Sequence, residues 1–265
     1  MTSLLGRCRT TLVAPLLRTQ VIKGTYPNYS ASRISENLKS DYEIDENLLL
    51  SEENRQRCLE KMGKAPPVGI KLRGAKSETK FAAVLIALCT DEETQNVSLL
   101  YTRRSHLLSR HMRQISFPGG IKEDNEDFVQ CALRETEEEI GILPSRVEIW
   151  GSGNLITPPH TAAIMPVVGV IRNFRESELK LNYDEVEEAF AIPIKRLASP
   201  QTLRYTQFKS GYSSPAFVVD DKRIWGVTGF ITNIFLNCFL PPEFNKLKNR
   251  IKFIRSFKSK SKATS

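Results

Sequence analysis

The sequence predicts an α/β sandwich, because segments with the properties of strands and helices follow one another along the middle of the chain. A continuous apolar run, Phe81–Thr90, has the length and composition of a buried strand. Further strands are predicted at residues 97–103, Ala163–Ile171 and residues 186–194. Between them, residues 127–140 carry apolar side chains at helical spacing, which predicts a helix packed on the strands.

Two further elements flank these central segments. A helix is predicted at residues 51–62, where Ser51 can cap the first turn and Gly63 ends the pattern. Residues 64–80 have the composition of a linker. Residues 224–240 begin as a strand and continue as a helix. Because this segment is at the short limit for a membrane span and contains several polar residues, a buried C-terminal helix is the preferred interpretation.

The formal charge of +8 is distributed unevenly over the 265 residues. Residues 1–35 carry five basic and no acidic side chains, and residues 244–265 carry eight basic and no acidic ones, so residues 36–243 have a net charge of −5. The length favours one domain with appendages. Four segments are therefore expected: a mitochondrial transit peptide at 1–35, a helical segment and linker at 36–79, the main domain at 80–242 and a basic tail at 243–265.

The two ends and the cysteines bear on location and partners. The N-terminal composition is typical of a mitochondrial transit peptide and predicts the matrix, the alternative being a disordered N-terminus. The tail mixes basic with apolar side chains, so a weak contact with an anionic membrane is one interpretation and a solvated end is the other. No specific nucleic acid is expected as a partner. Five scattered cysteines without a C-x-x-C pair argue against a disulfide framework or a zinc site.

The predicted helix at residues 127–140 carries acidic side chains beside its buried stripe. At about 100° per residue, Glu135 and Glu139 lie side by side with Glu138 next to them, while Glu137 points to the opposite flank. Like charges brought together repel unless a cation is present. Such oxygen ligands suit Mg²⁺ or Mn²⁺, which neutralise phosphate oxygens and activate water. For an isolated acidic helix face, a solvated surface would be the simpler interpretation.

The spacing around this helix is more specific than the acidic side chains alone. The fixed residues follow G-x5-E-x7-R-E-x-x-E-E-x-G-I, on Gly120, Glu126, Arg134, Glu135, Glu138, Glu139, Gly141 and Ile142. Eight fixed positions are too many to match by chance. Arg134 can orient a carboxylate by a bidentate contact, and Gly119 and Gly120 permit a close approach of the backbone.

This pattern resembles the signature of the Nudix hydrolases, with Thr136 as a departure at a position that is usually aliphatic. The resemblance implies an α/β/α sandwich with a mixed β-sheet, and an enzyme that hydrolyses a diphosphate. The implied metal ligands are Glu135, Glu139 and Glu138. The expected catalytic residues are Glu138 and Arg134, with Glu126 supporting the geometry of the loop and helix. A carboxylate from a later loop, such as Glu185, is the alternative group to assist the attacking water.

A second pattern narrows the substrate. Residues 100–120 resemble the additional motif of the coenzyme A diphosphatase branch, L-L-T-x-R-[SA]-x3-R-x3-G-x3-F-P-G-G, which includes the mitochondrial animal enzymes. Three positions depart from it, since Tyr101 replaces a leucine, Ser109 an arginine and Arg113 a glycine. The resemblance implies that coenzyme A or acyl-CoA is hydrolysed to 3′,5′-ADP and 4′-(acyl)phosphopantetheine. The implied substrate-binding residues are Arg104, Ser105, Gly119 and Gly120.

Other functions stay open at this point. Because coenzyme A carries a 3′-phosphate, a basic group near the cleft is expected, and Arg104, Arg110 and Arg113 are candidates that could equally be solvated surface charges. Another nucleotide diphosphate, such as NADH, ADP-ribose or a nucleoside triphosphate, is the second enzymatic interpretation. A non-catalytic binding module is the third, and it predicts a decayed acidic cluster, which this sequence does not have. The oligomeric state is left open.

Overall fold

A computed structural model describes residues 46–65, 80–91, 96–108, 112–158, 162–207 and 213–245. The predicted transit peptide at 1–35 lies outside the described residues, and so do residues 246–265 of the basic tail and residues 66–79 of the predicted linker. Within the described parts of the chain, no helix is long and apolar enough to cross a membrane.

The order of the elements is that of an α/β protein. The described helices are α1 (Glu46–Leu49), α2 (Glu52–Lys64), α3 (Phe128–Ile140), α4 (Ile194–Leu197) and α5 (Gly226–Phe239). The described strands are β1 (Phe81–Thr90), β2 (Val97–Arg104), β3 (Ile115–Ser116), β4 (Gly119–Ile121), β5 (Glu148–Ser152), β6 (Ala163–Ile171), β7 (Val186–Pro193), β8 (Leu203–Gln207), β9 (Ser213–Val219) and β10 (Lys222–Ile224). The α/β class expected from the sequence is confirmed.

The main sheet is mixed and has β1 at its centre. β6 pairs with β1 in parallel, while β2 and β5 pair antiparallel with β1 and β6, and β7 pairs antiparallel with the outer edge of β2. β1 and β2 pair with each other only at residues 88–90 and 97–99. Beyond that point β3 pairs with β2 and β4 pairs with β1, so residues 115–121 fill the gap between two diverging strands. The amide of Leu85 donates to the carbonyl of Pro118 at 2.8 Å and fixes this insertion.

Both faces of the main sheet are buried, which explains the unbroken apolar sequence of β1. Ala83, Leu85 and alternate residues after them pack against α3 on one face. Ile86 and Leu88 point to the other face, where the buried side chains of α2 and α5 cover the sheet. The molecule therefore has the three layers of an α/β/α sandwich, and α3 is the only long helix on its face among the described residues.

Several predicted elements agree with the structure to within two residues. The helix predicted at 51–62 is α2, whose first turn is capped by the Ser51 hydroxyl accepting from the Asn54 amide, and the helix predicted at 127–140 is α3. The sequence did not predict β5, nor the small antiparallel sheet of β8, β9 and β10. The sequence predicted a break in the chain at residues 117–120. In the structure, β4 begins within this segment, and its three residues pair with β1.

Both ends of α3 are fixed by local hydrogen bonds. At its start, Asp127 and Gln130 exchange hydrogen bonds between side chain and backbone amide, each at 2.8 Å, and form a capping box. At its end, Gly141 adopts a left-handed conformation (φ 77°), as predicted, and a Cβ there would lie 2.7 Å from Lys180 Cβ. The helix therefore begins and ends at defined residues, which positions its acidic side chains along the sheet.

One arginine links the two long helices of the layer opposite α3. Arg57 of α2 donates to the carbonyls of Phe239 and Leu240, at 2.7 and 3.2 Å, where α5 ends and its carbonyls lack helical partners. The same guanidinium donates to Asn54 Oδ1. A positive charge at this position also opposes the negative end of the α5 dipole.

We expect Arg57→Met to lower the free energy of unfolding by about 2 kcal/mol, because hydrogen bonds to a charged group contribute roughly 1.5–3 kcal/mol. Urea denaturation followed by circular dichroism measures this change. Arg204→Met is the matched control, since Arg204 is exposed on β8 and, within the described parts of the chain, donates only to its neighbour Leu203. Equal stability of the two variants would show that the contact with α5 adds nothing.

Candidate active site

Two glycines bring the backbone of the inserted segment against α3. Gly119 has a φ of 146°, and a Cβ on it would lie 2.2 Å from the Ala83 carbonyl oxygen. A Cβ on Gly120 would lie 2.4 Å from the Glu135 carboxylate. The Gly119 amide donates to Glu139 Oε2 at 3.3 Å. Glycine is therefore required at 119, and Gly120 leaves the space that the Glu135 carboxylate occupies.

Three carboxylates from two distant parts of the chain converge at this place. Each of Glu135, Glu139 and Glu185 offers an oxygen within 4.8 Å of the others, and we call these three residues the acidic cluster. Glu185 immediately precedes β7 and is fixed on both sides. Its carbonyl accepts from the Ser105 amide at 2.7 Å, and the Asn182 amide at the start of its turn donates to the Glu139 carbonyl at 3.0 Å.

Burial makes these charges costly. Glu139 is only 2% exposed, and removal from water raises the pKa of its carboxyl group to about 8, against the opposing effects of the Gly119 amide and of Arg104. Burial also raises the pKa of Glu135, more than the neighbouring Arg134 lowers it. Repulsion among the three carboxylates adds to the cost. A cation bound between them would compensate it.

The chemistry of this donor set fits a divalent metal ion. All three groups are carboxylates, which are the hard oxygen ligands that Mg²⁺ and Mn²⁺ prefer, and their spacing allows one ion to contact all of them. Helical periodicity correctly placed Glu135 and Glu139 side by side. It could not place Glu185, which lies 46 residues after Glu139 in the sequence and reaches the cluster only through the pairing of β7 with β2.

Glu138, the third predicted ligand, does not belong to the acidic cluster. Its side chain is 54% exposed, and it accepts from Arg134 at 2.9 Å, one helical turn away. It still lies close enough to Glu135 to raise the pKa of that carboxyl group by charge repulsion. Its roles as metal ligand and catalytic residue remain predictions.

Arg134 connects the loop before α3 to the helix itself. It forms a bidentate contact with Glu126 at 2.9 and 3.0 Å, donates to the Ile121 carbonyl at 3.2 Å and lies 3.1 Å from Glu135. These hydrogen bonds hold the pKa of Glu126 at about 2. Glu126 also accepts from the Glu123 amide at 2.9 Å. Both residues thus have the supporting position expected from the sequence, while a direct catalytic role of Arg134 stays a prediction.

Arg104 lies on the same face of β2 as Leu100, which is the face toward α3. It is near enough to lower the pKa of Glu139. Its Nε is buried and, within the described residues, makes no hydrogen bond. Ser105 is buried, and its hydroxyl accepts from the Leu107 amide at 3.3 Å, so that hydroxyl caps a turn of the loop. Arg110, another candidate from the sequence, lies outside the described residues.

Comparison with known proteins places these features in a family. The model of the NUDIX domain matches residues 79–210. The mitochondrial coenzyme A diphosphatase NUDT8 of Mus musculus is 34% identical over 198 residues, which cover 72% of this chain and 90% of that protein. Its counterpart from Homo sapiens is 36% identical and covers 62% of this chain and 71% of its own length. Nudix hydrolase 3 of Caenorhabditis elegans is 33% identical, and the match covers 64% of this chain and 78% of that protein.

The raised pKa of Glu139 predicts a pH-dependent stability of the metal-free protein. Between about pH 4.5 and 8 the carboxyl group is ionised in the unfolded chain but protonated in the folded one, so rising pH lowers the free energy of unfolding by at most about 1.4 kcal/mol per unit. We expect Glu139→Gln to remove this fall. Thermal denaturation in EDTA at several pH values measures it.

Glu137→Gln is the control for this experiment, because Glu137 is exposed on α3 and lies outside the acidic cluster. It should keep the pH profile of the unmodified protein. A profile that is unchanged in Glu139→Gln would contradict the assignment of the pH dependence to this group.

Proposed function

Because this chain belongs to the Nudix family of hydrolases, which act on pyrophosphate bonds, we propose that its substrate is coenzyme A or an acyl-CoA. Cleavage of the diphosphate then releases 3′,5′-ADP and 4′-(acyl)phosphopantetheine. The convergence of Glu135, Glu139 and Glu185 is the observation that carries the proposed chemistry. Support for the substrate comes from the two relatives named as mitochondrial coenzyme A diphosphatases.

The proposed cofactor is Mg²⁺ or Mn²⁺, held by the acidic cluster. When bound, such an ion neutralises the diphosphate oxygens and lowers the pKa of water. Glu139 anchors this site, since its carboxylate is buried and accepts from the Gly119 amide. Glu138 lies on the exposed side of α3 and is a further ligand in this proposal. It binds the ion after its contact with Arg134 is broken.

Glu185 is the residue that we assign to proton transfer. It is half-buried, its backbone carbonyl accepts from the Ser105 amide at 2.7 Å, and its carboxylate has an oxygen within 4.8 Å of those of Glu135 and Glu139. In this role Glu185 accepts a proton from the attacking water. Arg104, whose Nε is buried and not satisfied by the described residues, donates to a phosphate oxygen of the substrate.

The proposed location is the mitochondrial matrix. Two arguments support it: the composition of residues 1–35, which is typical of a transit peptide, and the mitochondrial names of the relatives from mouse and human.

We expect the purified protein to release 3′,5′-ADP from coenzyme A in the presence of Mg²⁺ or Mn²⁺ and to lose this activity in EDTA, because the acidic cluster requires a cation. Chromatography of the nucleotide products measures the reaction. NADH, ADP-ribose and a nucleoside triphosphate serve as alternative substrates. A higher kcat/KM for one of them than for coenzyme A would make that compound the preferred substrate. Absence of product from every diphosphate at every metal concentration would contradict the proposed chemistry.

A pair of variants separates the two candidate bases. We expect Glu185→Gln to lower kcat about 10²–10⁴-fold at saturating metal, which is the usual contribution of a general base. We expect Glu138→Gln instead to raise the metal concentration that gives the half-maximal rate. Steady-state rates over a metal titration distinguish these effects. Glu137→Gln, on the exposed flank of α3, should behave as the unmodified protein. The larger loss of kcat in Glu138→Gln would assign the base to Glu138 instead.

A further inference from the structure

Arg113 has a backbone conformation that a side-chain-bearing residue rarely adopts. Its φ is 56°, in the left-handed region that favours glycine, and the motif that residues 100–120 resemble has glycine at this position. An arginine there costs conformational energy that a glycine would not. Because strained backbone positions cluster at sites of function, the Arg113 side chain is a candidate for a specific contact.

Hydrogen bonds of the backbone place Arg113 next to the active site. Its amide donates to the Arg104 carbonyl at 3.1 Å, and the Arg104 amide donates to the Gln114 carbonyl at 3.0 Å, so these bonds close the loop between β2 and β3. The residue after Arg104 in this loop, Ser105, is the one that binds the Glu185 carbonyl. Arg113 therefore lies beside Arg104, the arginine that is near enough to Glu139 to lower the pKa of its carboxyl group.

The charge of Arg113 is exposed beside Arg104. Its side chain is 66% exposed, and its Nε lies 3.4 Å from Glu187 Oε2, which forms no hydrogen bond with the rest of the described chain. His106 Nδ1 lies 3.9 Å from the same oxygen. Glu187 follows Glu185 by two residues and lies at the start of β7, where the pairing with β2 shifts register next to Arg104. This ion pair therefore leaves most of the guanidinium accessible to a ligand.

We propose that Arg113 determines specificity by binding a phosphate monoester that the substrate carries outside its diphosphate, as the 3′-phosphate of coenzyme A. This inference rests on the proposed function. In coenzyme A the diphosphate and the 3′-phosphate are attached to the same ribose, so they are one sugar apart, and Arg104 and Arg113 are correspondingly adjacent on two hydrogen-bonded segments. A planar guanidinium suits such a phosphate by bidentate hydrogen bonding.

The test compares ligands that differ only in the 3′-phosphate. We expect Arg113→Gly to weaken the binding of 3′,5′-ADP at least about tenfold while changing the binding of 5′-AMP less than about twofold, since one hydrogen-bonded charge contact is lost. Isothermal titration calorimetry in Mg²⁺ measures both dissociation constants. Arg113→Lys keeps the charge without the fork of donors and should give an intermediate loss. The ratio of kcat/KM for coenzyme A and its 3′-dephospho form should change in parallel.

Controls separate specificity from folding. Glycine adopts a φ of 56° without strain, so Arg113→Gly should be at least as resistant to heat as the unmodified protein. Arg172→Ala removes an exposed, ion-paired arginine just after β6 and should leave both affinities unchanged. Equal weakening of both ligands in Arg113→Gly, or no weakening of either, overturns the inference while coenzyme A hydrolysis still stands. If neither coenzyme A nor its 3′-dephospho form is hydrolysed, the proposed function fails and the inference falls with it.

Discussion

The structure depends on the divergence of β1 and β2. Where these strands stop pairing, residues 115–121 insert between them, and the Gly119 amide donates to Glu139 of α3. Only glycine fits at 119, where a Cβ would meet the backbone of β1, and a Cβ at 120 would displace the carboxylate of Glu135. A carboxylate as buried as Glu139 can be kept in the folded protein because the Gly119 amide accompanies it. The divergence of the strands therefore also supplies the amide that stabilises the buried carboxylate.

Around this insertion, some charged groups form ion pairs that fix the geometry, and others have no oppositely charged partner close by among the described residues. Arg134 satisfies Glu126 and Glu138 and joins the loop to the helix, so its charge is used within the protein. Glu139 and Glu185 have no comparable partner among the described residues, and Arg104 contributes only a distant attraction. The unneutralised carboxylates lower the free energy of unfolding, which is typical of sites where a bound ligand supplies the missing charge.

Local patterns in the sequence predicted α3, β1 and the neighbouring positions of Glu135 and Glu139, because helical and apolar periodicities depend only on nearby residues. They did not give the inclusion of Glu185 or the exclusion of Glu138 from the cluster. The first depends on a contact between distant segments, made through the pairing of β7 with β2, and the second on the contact of Glu138 with Arg134 one helical turn away. β8 and β9 were missed because five- and seven-residue strands, one of them containing Pro215, give no clear alternation.

The acidic cluster joins segments that meet only after the sheet is complete. Glu185 reaches Glu139 through the hydrogen bonds of Asn182 and Ser105, which in turn require β2 and β7 to be docked side by side. A partly folded chain, even with α3 formed, would present two glutamates and no third. An ion held by all three carboxylates would therefore link α3 to the segment before β7 and oppose local opening of this end of the molecule.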